Sequence, residues 1–170
     1  MSMAVEEVYE GWRRVQDRLV ARLPGMSAEQ LSLRASPESW PVWAIVAHIA
    51  GTRVYWLCSV CGEPGFEGTP FSDPGGEGWE DRLDVPRGAD ELVEAVRSSW
   101  AIVDSCLARW TPEMLHVGFT RSRDGEVQHH TRYSVLTRLV MHDSFHAGEV
   151  SLLLGLSGLP SLDPWETAAV

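Results

Sequence analysis

Apolar residues recur at alternating steps of three and four through Val5, Val8, Trp12, Val15, Leu19 and Leu23, the period of an amphipathic helix. This pattern predicts a first helix over residues 3–23, stopped by Pro24-Gly25. Ser27 and Gln30 have the spacing of a capping box that opens a short helical turn before Pro37. Pro41 suits the first position of a second helix, whose apolar run reaches Cys61. There the periodicity blurs. Ile45, His48, Ile49, Thr52 and Trp56 share one face, and Trp43, Ala47, Ala50, Val54, Leu57 and Cys61 share the other. A helix apolar on both sides must be covered on both, so it either lies centrally or turns its outer face to a second subunit.

Leu92, Val96, Ser99, Val103, Cys106 and Trp110 define a third helix over residues 89–110, ended by Thr111-Pro112. Short polar-apolar alternations on either side of Asp124-Gly125 predict a small hairpin within residues 116–131. A fourth helix spans residues 133–154, with Gly155 as its stop. At the helical period, Val135, Leu139, His142, His146, Glu149, Val150 and Leu153 fall on one face. After Pro160 the tail has a single anchor, Trp165.

These elements predict a single domain over residues 1–170: an all-α four-helix bundle with a long crossover loop and a small hairpin between the last two helices. The loop, Gly62 to Gly88, is rich in Gly and Pro and sets Phe66, Phe71 and Trp79 among acidic residues. Loops of this length are functional or mobile, so it reads as a lid over a site or as a disordered connector.

Composition narrows the partners. All 14 basic residues are arginine, against 24 acidic ones, and the formal charge of -10 repels phosphate backbones and anionic bilayers. Neither nucleic acid nor a membrane is expected as a partner. The acidic N-terminus lacks the basic and apolar regions of a signal peptide, which makes the cytoplasm the expected location. Residues 40–62 approach membrane-spanning length, but His48, Thr52, Arg53 and Ser59 interrupt them. Three cysteines are too few for a disulfide framework. Cys58-Ser-Val-Cys61 has the spacing of a redox or metal motif, yet it falls within an apolar helix, where packing thiols are expected.

The candidate chemistry lies with histidine. His142 and His146 are one helical turn apart, so their imidazoles stack on one face, within the core stripe. His48 comes from the otherwise apolar second helix. Burying three imidazoles, with Glu149 one turn further on, leaves several polar groups in need of partners, and one divalent ion satisfies them together. Imidazoles suit zinc, nickel, iron or copper, and three protein ligands leave positions open. An ion so held acidifies bound water or keeps a thiol as its thiolate. The run His142-Asp-Ser-Phe-His146 is close to a metalloprotease helix, but Asp143 is one methylene shorter than the glutamate base and is placed at the edge of the face. It reads instead as a carboxylate behind the ligands or on the helix surface. His129 and His130 alternate across a strand and His116 stands alone, so all three read as surface or loop residues. Arg138, one turn before His142, reads as a packing or ion-pairing residue or as a receptor for a substrate carboxylate.

The segment Ser39-Trp40-Pro-Val-Trp43-Ala-Ile-Val-Ala-His48, followed by Arg123-Asp-Gly125 and a last helix carrying His142-Asp-Ser-Phe-His146-Ala-Gly-Glu149, resembles the DinB/YfiT-like metalloenzymes over nearly the whole chain. The resemblance implies a divalent metal, nickel or zinc, on His48, His142 and His146, and a homodimer. It also implies a metal-activated low-molecular-weight thiol, mycothiol or bacillithiol in relatives, acting on a small electrophile in an S-transferase or isomerase reaction. His146-Ala-Gly-Glu149 departs from the frequent His-Arg-Gly-Gln ending of the family, which leaves the substrate open. The alternative expectation is a non-catalytic bundle that binds a metal or small molecule in a stress response.

Overall fold

A computed structural model describes residues 4–123 and 125–165; Asp124, the expected turn residue of the hairpin, lies outside them. Among the described residues the α-helices are α1 Val5–Val8, α2 Glu10–Arg22, α3 Ala28–Leu31, α4 Val42–Val54, α5 Ala89–Arg109 and α6 Arg132–Leu156. Strands β1 Gly118–Arg123 and β2 Glu126–Thr131 pair antiparallel, with Gly118 opposite Thr131 and Arg123 opposite Glu126. The expectation of an all-α four-helix bundle is therefore corrected. The described residues are mostly helical, with six α-helices and a two-stranded sheet. Three local features account for the difference, the first being that the capped turn at Ala28–Leu31 stands as a short helix of its own. The first amphipathic run breaks at Tyr9, whose φ of -105° and ψ of 15° leave helical geometry. The hairpin is an element in its own right, with six residues per strand in continuous register.

The central helix is α4. Its residues from Val42 to Ala47 are buried, as are Ile49, Ala50, Arg53 and Val54, and it packs against α5 on one side and α6 on another. Both of its apolar faces are thus covered within the chain, with no second subunit required. Beyond Val54 the helix widens into a π-helical stretch, Tyr55–Val60, closed by the Cys61 amide donating to the Trp56 carbonyl. Such wider turns cluster at functional sites.

Chemistry at both ends fixes α6. Thr131, the last residue of β2, caps it: its hydroxyl accepts from the Ser134 amide while the Ser134 hydroxyl accepts from the Thr131 amide. The expected stop at Gly155 moves to Gly158, whose φ of 73° suits glycine. There the amides of Gly158 and Leu159 donate to the carbonyls of Gly155 and Leu154, closing the last turn. The tail is held through Leu162, which exchanges hydrogen bonds with the Ser151 hydroxyl, whereas Trp165 is exposed.

The connection from Gly62 to Gly88 is folded against the core. It contains 3-10 turns at Phe66–Gly68 and Trp79–Asp81, and Phe71 and Trp79 pack on the cluster built around α4. No helix among the described residues is long and apolar enough to cross a membrane.

Candidate metal centre

His48 lies on α4, and His142 and His146 lie on the shoulder of α6 that faces it. One nitrogen from each imidazole lies within 4.8 Å of the others. The Nε2 atoms of His48 and His142 approach to 2.9 Å. With bonds of about 2.0–2.1 Å to each imidazole, one ion spans such a pair. The three side chains are between 13% and 24% exposed, sheltered yet reachable.

Carboxylates orient two of the rings. Glu80 holds His48 Nδ1 at 2.6 Å, and Glu149 holds His146 Nδ1 at 2.6 Å. A carboxylate at Nδ1 keeps the proton there and presents the Nε2 lone pair on the far side of the ring, the arrangement of a histidine ready to bind metal. Burial holds the His146 imidazole below its usual pKa; the Glu149 hydrogen bond opposes this, and His142 and His48 reinforce it. The ring therefore stays neutral further into the acid range than a free histidine. Three sheltered imidazoles, two of them oriented by carboxylates, fit a divalent ion. The buried His142 Nδ1 has no hydrogen-bond partner, and Asp143 Oδ1, likewise unpartnered, lies 3.6 Å from it.

Asp143 itself is wholly buried, away from the edge of the helix where the sequence places it. Its Oδ2 accepts from Trp12 Nε1 at 2.7 Å and from Arg53 Nε at 2.7 Å. Arg53, also fully buried, donates from Nη1 to Gln16 Oε1 at 2.8 Å. This network ties α2, α4 and α6 together directly behind the histidines.

A cavity of about 500 Å³ opens beside His48 and His142, lined among others by Trp40, Thr52, Trp56, Phe71, Glu80 and Arg138. Among the described residues, none of the other histidines or the cysteines joins the three. His116 and His129 are exposed, and His130 packs edge-on against Trp56. Burial pushes the thiols of Cys58 and Cys61 up to about 11 and about 12, so they are inert packing groups as expected.

The profile of the DinB superfamily matches residues 12–150. The chain belongs to the DinB superfamily. Within the superfamily, a DinB-like protein from Bacillus cereus ATCC 10987 has a similar crystal structure, with a TM-score of 0.69 and 21% sequence identity, covering 95% of this chain and 97% of that one. At that identity the likeness concerns the fold. No curated protein matches the chain. Family membership leaves the orienting groups to be read from this chain alone. Glu80 was invisible to helical periodicity, because it comes from the connecting loop 32 positions after His48; the one signal for it was Trp79, an apolar anchor in an acidic stretch.

Proposed function

We propose that this DinB superfamily member is a metal-dependent enzyme that uses a low-molecular-weight thiol on a small electrophile, in a transfer or isomerisation reaction. His48, His142 and His146 are the proposed ligands, and nickel or zinc the proposed ion. The observation that carries this reading is the convergence of three imidazoles, two of them oriented by carboxylates, at the edge of a cavity of about 500 Å³. When bound, the ion would lower the pKa of a coordinated thiol and stabilise its anion. This chain's own residues do the rest: Glu80 and Glu149 orient the rings, and Trp40, with its ring 4.8 Å from that of His48, shields them from water.

Glu149 accepts from His146 rather than standing as a fourth ligand, which supports an open, reactive site over a closed structural one. Free Cys58, Cys61 and Cys106 suit a reducing compartment, in support of the cytoplasm. A second copy of the chain is the proposed cover for the exposed apolar row of Met141, Phe145, Leu152 and Leu156 on α6.

Two measurements test the reading. Elemental analysis after metal-replete expression is expected to find about one equivalent of divalent metal per chain, and His142→Ala to lose it; less than about a tenth of an equivalent in the wild type overturns the site. Turnover of a panel of bacterial thiols with electrophilic acceptors is expected in the wild type and absent in His146→Ala. Equal turnover by both overturns the mechanism.

A further inference from the structure

The indole of Trp56 carries two guanidinium groups. Arg121 of β1 lies 4.5 Å from its ring centre and Arg138 of α6 lies 4.8 Å from it. Both line the cavity that contains His48 and His142, and Arg138 is one turn before His142 on the same helix.

Their electrostatic situation sets them apart from the ion-paired arginines of this chain. Arg13, Arg14, Arg53 and Arg87 each pair with a carboxylate, through Asp104, Glu10, Asp143 and Glu91, as expected where acidic residues outnumber arginines. Arg121 instead donates to two neutral groups, from Nε to Gln128 Oε1 at 2.9 Å and from Nη1 to the Tyr55 hydroxyl at 2.7 Å. These bonds aim the guanidinium without neutralising it. Arg138 contacts the indole face and, among the described residues, has no ion pair. The neighbouring His130 feels the result: burial first, then Arg121 and Arg138, hold its imidazole below the usual pKa. One guanidinium aimed by neutral partners and a second beside it without a direct carboxylate partner, both lining a cavity, can receive an anion.

We propose that Arg121 and Arg138 form an anion subsite that binds the carboxylate of a small substrate and directs the rest of the molecule toward His48 and His142. The direction toward the histidines rests on the proposed metal-dependent reaction; the subsite itself does not. A monocarboxylate is favoured over a phosphate, because Asp73, Glu77 and Asp81 line the same cavity and oppose any further negative charge. The planar fork of a guanidinium also matches a carboxylate in two-pronged fashion.

The test uses the full chain, metal-loaded and chelated, titrated calorimetrically with butyrate, its neutral counterpart butyramide, and inorganic phosphate. Butyrate is expected to bind about tenfold more tightly than butyramide, the worth of a charge-assisted hydrogen bond. The preference should weaken as salt rises and should survive chelation. Arg138→Gln, at an exposed position that leaves the core intact, should abolish it, and Arg121→Gln should do the same. No preference for butyrate in the wild type, or a preference retained in both variants, overturns the subsite. A preference lost on chelation but kept in both variants assigns the carboxylate to the ion, overturning the subsite while leaving the metal reading intact. Phosphate binding more tightly than butyrate overturns the carboxylate assignment. Loss in the arginine variants with retention after chelation supports the subsite even if the histidines bind no metal.

Discussion

At the scale of single residues, Glu80 and Asp143 do the work that the histidine spacing alone did not reveal. Glu80 is buried against His48, and removing it frees the ring to rotate and to shift its proton. Glu80→Ala is expected to weaken metal binding about 10–100-fold with little loss of helix content, measured by competition against a chromophoric chelator. An unchanged affinity would show that the packing of Trp40 suffices to orient the ring. Asp143→Ala leaves Arg53 charged, buried and unpaired, at an expected cost of about 3–5 kcal/mol in chemical denaturation. A loss below about 1 kcal/mol would mean that water reaches the network and replaces the carboxylate. The pairing of His142 with His146 was legible because it is local: a step of four residues on one helix needs no knowledge of the rest of the chain. Asp143 lies behind the ligands, one of its two readings, but deeper than the edge of the face, because the buried stripe of α6 runs through Leu136, Leu139, Asp143, Ala147 and Val150, centred about one residue away from the histidine row. No spacing rule predicts that a buried Arg53 awaits it.

At the scale of elements, the long helices were visible in their periodicity, whereas their ends and interruptions depended on backbone geometry. The capping box at Ser27 and Gln30 forms as its spacing indicated. The break at Tyr9 and the π-helical stretch after Val54 carry no such residue code, since an apolar run reads alike through regular and widened turns. What fixes the far end of the π stretch is Glu63, which accepts from Arg109 Nη2 at 2.7 Å, Arg132 Nη2 at 2.9 Å and Trp110 Nε1 at 3.2 Å. Burial raises its pKa, but the bonds from the two arginines more than offset this and hold the carboxyl below the usual range. The unfolded chain then binds the proton more readily than the folded one. The stabilisation from Glu63 is therefore complete above about pH 4.5 and disappears as pH falls through the lowered folded value. Glu63→Gln is expected to cost about 1–3 kcal/mol at neutral pH and to flatten the acid limb of stability in that window. Urea midpoints between neutral pH and pH 3 measure it; parallel acid limbs in wild type and variant would assign the acid sensitivity to other carboxylates.

At the scale of the whole molecule, a central apolar helix was legible, and its choice between core and interface followed from which elements cover it. The loop from Gly62 to Gly88 was the least legible part, because its role lies in contacts with α4 that sequence distance conceals. The exposed apolar row on α6 gives the proposed dimer its test. Sedimentation at micromolar concentration is expected to show twice the chain mass, and Phe145→Ser to shift the species toward monomer. A wild type that sediments as a monomer excludes self-association through this face.

The carboxylates at His48 and His146 also bear on how an ion would arrive. A centre in which two of the three rings are already held in place by carboxylates does not need the chain to fold around its guest. Uptake of metal by such a frame should register calorimetrically as almost free of heat-capacity change, unlike domains that acquire their shape and their ion in one step.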